Sequence, residues 1–393
     1  MPTTDEMTLD ERRKYLKRMK TRYVAADRAE RSRLLTEMEQ VTDLQRKSLI
    51  RLLNAVSLER KKRSRPRPRS YGVEVEHVVL KVWESLDYVC AERLTPSLLR
   101  MAQHLASFGV LSLTAQIEAQ LSTISCATVQ RMLRKNRSRK TRLPRKGPER
   151  ANQVTKGVPM GRIPWDMQQP GHFEVDLVHH SGETTAGDYL HSLQMVDVAT
   201  GWSERVAVLG RGQRAMEAAF RHILERVPFA VHELHPDNGS EFFNYHLVHF
   251  WKEKVVGVQL SRSRPYQKND NRMVEQKNDT LIRQYLGYDR LDTPAQLEAV
   301  NALYERMWIY YNLFQPVLHL IKKEVIDGKV KRGWDEAQTP YARLLATGAI
   351  GPEQQERLQQ LYLQTNPLVL RQEIYERLTA LWEQQLSPEG TAA

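Results

Sequence analysis

Residues 172–178 read His-Phe-Glu-Val-Asp-Leu-Val, and this stretch decides the fold predicted for the centre of the chain. Apolar and polar residues alternate along it, which is the two-residue period of a β-strand. Glu174 and Asp176 therefore share one face of the strand, opposite the apolar side chains. A strand that carries two acids on one face indicates a site for chemistry as well as a place in a sheet.

The chain around this strand alternates between strand and helix patterns. Strands are predicted over 173–178, 189–196, 202–209, 230–235 and 256–261, and helices over 214–227, 245–253 and 271–285. Three strands in close succession, followed by alternating helices and strands, describe an α/β domain with a mixed five-stranded sheet.

Two regions before this domain are predicted to be helix-turn-helix modules, because each shows a helix, a tight turn and a basic helix. Thr42 and Gln45 form a capping-box pattern in the first region, and Thr95 and Ser125 are expected to cap helices in the second. Any antiparallel helix pair would look the same, so packing alone is the alternative. The side chains available to contact DNA are Gln45, Arg46, Lys47 and Arg51 in the first module, and Gln130, Arg131 and Arg134 in the second.

Domain boundaries are predicted where these patterns change. The C-terminal region should hold a hairpin about Asp327-Gly328 and then helices, whose apolar positions from Leu344 to Trp382 serve either to join subunits or to fold back on the core. The predicted segments are a helix-turn-helix module over 1–59, a basic linker over 60–70, a second helical module over 71–135, a basic linker over 136–162, the α/β core over 163–290 and the C-terminal region over 291–393.

The charge of the chain indicates a nucleic-acid partner. The net charge is +12 over 393 residues, and residues 60–69 alone hold seven basic side chains and no acid, while residues 134–146 hold eight and no acid. One basic run is usually only a solvated segment. Two runs beside predicted DNA-binding modules favour contacts with phosphate.

Other classes of protein are disfavoured by what the sequence lacks. No apolar run of about 18 residues occurs, and the first twenty residues do not resemble a signal peptide, so a cytoplasmic protein without a membrane partner is expected. Cys90 and Cys126 are too few for a cysteine-rich zinc module and are expected to be buried thiols. No glycine-rich phosphate loop occurs, so no nucleotide cofactor is expected.

Three acids are predicted to carry the chemistry. Asp176 lies on the first strand, Asp237 follows the fourth strand and enters an Asn-Gly turn, and Glu275 lies on the helix over 271–285. Asp237 thus follows the C-terminal end of a strand, which is where sites form in α/β sheets. Phosphodiester chemistry can use two Mg²⁺ ions about 4 Å apart, and Mg²⁺ takes hard oxygen ligands. From the residues alone, the third ligand could also be one of the neighbouring acids Glu174, Glu241 and Asp270.

Residues 165–290 resemble the integrase core shared by retroviral integrases and insertion-sequence transposases, which has an RNase H-like fold. One departure is His235-Pro236, where a small or apolar residue is more usual. The resemblance implies that Asp176, Asp237 and Glu275 are the DDE catalytic residues and the ligands of two Mg²⁺ ions, which Mn²⁺ can replace. It is carried by Glu-Val-Asp176-Leu-Val, Asp197-Val-Ala-Thr-Gly-Trp202, Asp237-Asn-Gly-Ser-Glu-Phe242 and the run from Ser263 to Asn278.

The function that this resemblance implies is transposition. Such a protein binds the ends of a mobile element in double-stranded DNA, nicks the DNA to free a 3′-hydroxyl and joins that hydroxyl to target DNA. It acts as a homo-oligomer on DNA, in the prokaryotic cytoplasm at the nucleoid. The alternatives are a catalytically silent DNA-binding regulator derived from a transposase, and a structure-specific nuclease without strand transfer. Lys268, Lys277 and Arg283 surround the acidic helix and are either phosphate contacts or a solvated face.

The basic segment over 60–69 provides a first test. Replacing its seven basic residues by glutamine should weaken binding to every DNA sequence alike, because phosphate contacts carry no sequence information. The slope of log affinity against log salt, measured by fluorescence anisotropy, should fall by about 0.9 for each lost contact. An unchanged slope would show that the segment is only a solvated linker.

Overall fold

The computed structural model describes residues 7–58, 70–136, 160–161, 163–164, 166–236, 257–263, 270–326 and 329–386. The chain divides into two compact units, Met1–Ser70 and Tyr71–Ala393, and each is described by itself below. Among the described residues, no helix is both long and apolar enough to cross a bilayer.

The first unit is a cluster of three helices: α1 (Leu9–Ala25), α2 (Arg28–Thr42) and α3 (Arg46–Leu53). A capping box begins α1, in which the Thr8 hydroxyl accepts a hydrogen bond from the amide of Glu11 and the Glu11 carboxylate accepts one from the amide of Thr8. The buried side chains that the helices share are Leu16, Met19, Leu34, Leu35, Met38, Leu49 and Leu53.

The capping box predicted at Thr42 and Gln45 is wrong. Thr42 is the last residue of α2, and its hydroxyl donates back to the carbonyl of Met38 at 2.6 Å. Asp43 then takes the left-handed conformation (φ 55°) that ends the helix, and Gln45 precedes α3 without a side-chain cap. A threonine hydroxyl can either cap the next helix or bond within its own, and the sequence does not separate the two.

The second unit begins with five helices and a 3₁₀ turn. Thr95 does not cap a helix there, because its backbone is already helical and its hydroxyl donates to the carbonyl of Ala91. Ser125 does precede α8 as predicted, and its hydroxyl accepts from the amide of Thr128. Cys90 is exposed and Cys126 half-buried, so the expectation of two buried thiols is wrong. The elements are α4 (Val73–Ser85), α5 (Ala91–Leu94), the 3₁₀ turn Thr95–Ser97, α6 (Leu98–Ser107), α7 (Ala115–Thr123) and α8 (Cys126–Asn136).

A mixed five-stranded sheet follows, as the sequence predicts, in the order β4-β3-β2-β5-β6. Strands β2, β3 and β4 form an antiparallel meander, and β5 and β6 run parallel to β2. This is the arrangement of an RNase H-like core. Within the last strand predicted, 256–261, residues 259–260 form β6, and the separate strand β7 that follows pairs with β1. The strands are β1 (Met160–Gly161), β2 (His172–His179), β3 (Leu190–Asp197), β4 (Ser203–Leu209), β5 (Glu233–Pro236), β6 (Gln259–Leu260) and β7 (Arg262–Ser263).

Helices cover both faces of this sheet. The apolar face of β2 packs in one core cluster with α9 (Gln213–Arg226), as the two-residue period requires. The face that carries Glu174 and Asp176 lies against the helices that follow β7. These are α10 (Arg272–Lys277), a π-helix (Asn278–Arg283), α11 (Gln284–Leu286), α12 (Pro294–Ile309) and a second π-helix (Tyr310–Phe314).

The C-terminal region folds back on the same unit. Leu344, Leu370, Ile374 and Leu381 are buried in the core clusters, which favours the second of the two roles predicted for these apolar positions. The predicted hairpin is present, although its turn at Asp327-Gly328 lies outside the described residues. The elements are β8 (Leu320–Ile326), β9 (Lys329–Trp334), α13 (Pro340–Thr347), α14 (Pro352–Gln364) and α15 (Pro367–Leu386).

A single carboxylate joins three parts of this second unit. Asp87, which follows α4, accepts hydrogen bonds from Arg371 Nε at 2.9 Å and from the Tyr375 hydroxyl at 2.9 Å, both on α15. It also accepts from the Tyr285 hydroxyl on α11 at 3.1 Å. Asp87 has a φ of 54°, a left-handed conformation that aspartate and asparagine adopt more readily than most residues.

Asp87→Asn is therefore a selective test of this junction, because asparagine suits the same backbone while it removes the charge that three donors share. Hydrogen bonds to charged groups contribute about 1.5–3 kcal/mol, so the free energy of unfolding in urea should fall by about 2 kcal/mol. Glu373→Gln, which removes a half-exposed ion pair with Arg306 on the same helix, should cost under about 1 kcal/mol. Equal effects of the two changes would contradict a special role for Asp87.

Candidate active site

The site lies where β2 and β5 run side by side. The parallel register places Pro236 beside Val175, so the residue before Asp237 is paired with the residue before Asp176. Asp237 itself lies outside the described residues, as do Glu241 and Lys268. The register therefore brings the chain just before Asp237 next to the chain just before Asp176.

The unusual His235-Pro236 pair does not interrupt β5, which continues through Pro236. His235 is fully buried, and its Nδ1 lies 2.6 Å from the hydroxyl of Ser261. Burial lowers the pKa of His235. The proline needs no ladder partner for its nitrogen at the last residue of the strand.

Glu174 caps the helix that carries Glu275. Its Oε2 accepts hydrogen bonds from the backbone amides of Met273 at 2.7 Å and Val274 at 3.0 Å, in the first turn of α10. The residue before that helix, Asn271, supplies no side-chain cap. A carboxylate at a helix N-terminus satisfies free N–H groups and faces the positive end of the helix dipole. Glu174 therefore fixes the start of α10 against β2.

Asn278 joins the same helix to Asp176. Its Nδ2 donates to Asp176 Oδ2 at 2.5 Å, while Asp176 Oδ1 accepts from the amide of Leu177 at 2.8 Å. Asn278 is the first residue of the π-helix, and Glu275 lies one turn before it on the same helical face. Single π turns within helices frequently mark functional sites. Glu275 is exposed.

The pKa of Glu174 is set mainly by its burial. Burial raises the pKa of Glu174 from 4.5 to about 7, against the lowering effect of the two amides. The charge of Arg272 also lowers the pKa of Glu174, and the charge of Glu275 makes the smallest contribution to its rise.

The donors of this site fit a magnesium ion by type, since they are carboxylate oxygens. Within the described part of the chain, which omits Asp237, no three acidic, histidine or cysteine side chains converge as a metal site. Asp176 and Glu275 are the described donors that would hold such an ion. Asp270, the other neighbouring acid on this side, is buried, and Glu174 has its Oε2 occupied by the helix.

Asp197 and Trp202 have the structural roles that the sequence predicts. Asp197 is buried at the end of β3, where it accepts from the amides of Gly171 and Thr200, each at 2.8 Å. Trp202 is fully buried and its Nε1 donates to Glu204 at 2.8 Å. Neither side chain reaches Asp176 through a described contact.

The residues predicted to contact DNA differ in whether their side chains already form hydrogen bonds within the protein. In the first unit, Arg46 binds Ser32, Thr36 and Glu39 of α2 through its guanidinium. In the second, the exposed Arg131 donates to Ala127 and Thr128 of its own helix. The other predicted contacts on α3 and α8 or at their starts are exposed to solvent, namely Gln45, Lys47, Arg51, Gln130 and Arg134.

Lys277 and Arg283 do not form a solvated face. Arg283 donates to the carbonyls of His179 and Gly287 and stacks 4.7 Å from the ring centre of Tyr288. The ammonium of Lys277 lies 4.9 Å from the ring centre of Tyr311. Burial, together with the charges of two nearby arginines, lowers the pKa of Lys277 to about 7.

Sequence reasoning missed a buried row of polar residues beside Asp176. The ladder pairs Asp176 with Gln194 on β3, and Gln194 with Arg205 on β4. Gln194 and Arg205 are 0% and 2% exposed. Because alternate residues of a strand share one face, the sequence could have placed Gln194 and Arg205 on the same face once the pairing of the strands was known. No pattern in the sequence indicates that an arginine is buried there.

Comparisons with known proteins identify one close relative. Over 323 residues the chain is 33% identical to y4rM, an uncharacterized protein of Sinorhizobium fredii (strain NBRC 101917 / NGR234), and the match covers 82% of this chain and 91% of that protein. The chain matches no model of a protein family. Among solved structures, the catalytic core domain of BIV integrase aligns with 45% of this chain and 95% of its own, at 18% identity and a TM-score of 0.31. A likeness this weak adds nothing to the description of the sheet.

Glu174 gives a pH-dependent prediction. Because its pKa is raised in the folded protein, its contribution to stability is complete below pH 4.5 and is lost as the pH rises to about 7. Glu174→Gln keeps an oxygen acceptor for both amides and removes the titration. From about pH 5 to about pH 7.5, the wild type should lose about 2.4 kcal/mol of unfolding free energy relative to this variant.

Urea denaturation in EDTA measures this difference without interference from metal. Glu217→Gln, an exposed change on α9, is the control and should follow the wild type across the pH range. If the unfolding free energies of the wild type and Glu174→Gln change equally with pH, burial does not raise the pKa of Glu174.

Proposed function

The chain belongs to the family of the Sinorhizobium fredii protein y4rM, and we propose that it is a DDE transposase. In this proposal it binds the ends of a mobile DNA element, nicks the DNA to free a 3′-hydroxyl and joins that hydroxyl to target DNA. The observation that carries the proposal is the junction of β2 and α10, where Asn278 binds Asp176 one turn after Glu275.

Asp176, Asp237 and Glu275 are the proposed catalytic and metal-ligating residues. Support comes from the register of β5 with β2, which pairs the residues that precede Asp176 and Asp237. Two bound Mg²⁺ ions would stabilise the attacking and leaving oxygens of a phosphodiester. Asp176 and Glu275 supply oxygen ligands from a strand and a helix, and such rigid support is what a metal site requires.

Neighbouring side chains fix those acids in position. Glu174 fixes the first turn of α10 through two amides, and Asn278 orients Asp176 by donating to its carboxylate. Both interactions act on the angle between β2 and α10, on which the separation of Asp176 and Glu275 depends. A misplacement of about 1 Å can cost a hundredfold in rate.

DNA recognition is assigned in this proposal to two helix-turn-helix modules. The first comprises α2 and α3, and the second ends in α8, which exposes Gln130, Arg131 and Arg134. Polar and arginine side chains of this kind suit base edges and phosphates. The basic segments over 60–69 and 134–146 would add contacts with phosphate, and two copies of the chain would act on the two ends of an element.

The three acids are tested by isosteric substitution. Asp176→Asn, Asp237→Asn and Glu275→Gln each remove a ligand charge and keep the shape, so each should reduce DNA nicking and strand transfer at least about a thousandfold, as expected for a loss of several kcal/mol. Affinity for DNA should stay within about threefold, because binding rests on other residues. The substrate is a plasmid carrying the DNA that flanks the gene, with Mg²⁺.

Glu174→Gln and Glu217→Gln are the matched controls, and both should cut and join DNA. Nicking at the wild-type rate by any of the three acid variants would remove that residue from the site. A wild-type chain that binds this DNA and never cuts it would instead indicate a regulator built on a transposase fold.

A further inference from the structure

Arg205 is a buried cation whose hydrogen bonds are not satisfied. Neither its Nε nor its two terminal nitrogens has a hydrogen-bond partner, and the same holds for both amide atoms of the adjacent Gln194. Leaving a buried charge and its donors unpaired costs several kcal/mol. A fold that retains such an arginine therefore calls for a binding partner at that position.

The neighbouring residue on β4, Glu204, is a buried charge whose hydrogen bonds are satisfied within the chain. Glu204, on the opposite face, is fully buried and accepts from Trp202 Nε1 at 2.8 Å, Trp308 Nε1 at 2.7 Å and Arg226 Nε at 2.6 Å. All of its needs are met within the chain. Arg205 differs from it in lacking any such partner.

Aromatic rings offset only part of this cost. The Arg205 guanidinium carbon lies 5.8 Å and 5.9 Å from the ring centres of Tyr304 and Tyr311. Desolvated cation–π contacts contribute about 2 kcal/mol. The hydroxyl of Tyr311 is itself buried without a hydrogen-bond partner, which adds another free donor to the same place.

Two further basic side chains, Lys277 and Arg93, lie near Arg205. Lys277 lies over the ring of Tyr311, and the charges that act most strongly on it are those of Arg93 and Arg205, both positive. In the described part of the chain, no ion pair joins Arg205 or Lys277 to an acid. Water could satisfy the donors here, but it would leave the positive charges uncompensated. An anion would do both.

We propose that Arg205, Gln194, Lys277 and Tyr311 form a binding site for a phosphate-type oxyanion, taken either as free phosphate or as a phosphate group of DNA. Arg205 suits the base of the site, because its planar fork of donors matches the oxygens of phosphate. Lys277 and Arg93 are the partly exposed basic residues near it. The proposal does not depend on strand cleavage.

The site lies on the same face of the sheet as Asp176, one strand beyond Gln194. With strands about 4.8 Å apart, Arg205 and Asp176 are separated by about 10 Å across the row. An anion bound at Arg205 would therefore lie within about 10 Å of the acids, close enough that DNA held at one position could reach the other.

The first experiment measures the melting temperature of the whole protein in EDTA, with inorganic phosphate or with chloride at matched ionic strength. Phosphate should raise the melting temperature of the wild type in a saturable manner. Arg205→Met fills the same volume without charge, so it should abolish the response to phosphate. It should also be at least as stable as the wild type in chloride, because it removes an unpaired buried charge.

Arg221→Met, an exposed change on α9, is the control and should respond to phosphate like the wild type. A saturable phosphate response of Arg205→Met equal to that of the wild type would overturn the proposal. If that variant does not fold, Arg205→Lys keeps the charge but loses the paired donors, and its half-saturating phosphate concentration should rise at least fivefold.

A second arm identifies the source of the oxyanion. The affinities of the wild type and Arg205→Met for a DNA duplex are compared by fluorescence anisotropy, without metal. A fall of tenfold or more in affinity assigns the site to DNA phosphate, whereas an unchanged affinity together with the phosphate response assigns it to free phosphate. The absence of both the phosphate response and any change in DNA affinity would overturn the proposal.

Discussion

The hydrogen bonds from the first turn of α10 to Glu174 are the interaction on which the geometry of the site depends. Burying a carboxylate is costly, and the raised pKa of Glu174 shows that the cost is only partly offset. In return, the carboxylate satisfies two amides at the positive end of the helix and determines where the helix begins. Asn278 then meets Asp176, one turn after Glu275. An apolar residue in place of Glu174 would leave the amides unpaired and the angle between β2 and α10 free to change.

Much of this arrangement could be predicted from sequence. The alternation along residues 172–178 placed Glu174 and Asp176 on one face, and the order of strand and helix patterns indicated the mixed sheet. The capping patterns at Thr42 and Thr95 failed because a hydroxyl can equally bond the carbonyl one turn back. The π-helices over 278–283 and 310–314 were missed because an extra residue in one turn leaves no mark in a pattern of 3.6-residue period. The partners of Glu174 and Arg205 come from elements far away in sequence, which periodicity does not reveal.

Two opposite charges are thus buried on one face of the sheet. The acids occupy the β2 side and Arg205 the β4 side, with the neutral Gln194 between them. At a separation of about 10 Å and an effective dielectric constant of about 20, a pair of unit charges attracts by about 1.7 kcal/mol. Arg205 therefore eases the mutual repulsion of the acids when no anion is bound to it. The electrostatics of the acidic site extend beyond the residues that form it.

The position of Asp87 has a consequence for how proteins of this architecture can diverge. Its carboxylate is bound at once by α15 and by α11, so the helices over 73–136, the sheet domain and the C-terminal helix share one junction. Recombination that exchanged those helices as a cassette would break the junction unless Tyr285, Arg371 and Tyr375 were exchanged with it. Divergence in this part of the chain should therefore accumulate as point substitutions on the outward face of α8. The three-helix unit that ends before Tyr71 is a separate compact body, and it is the part that gene fusion could replace intact.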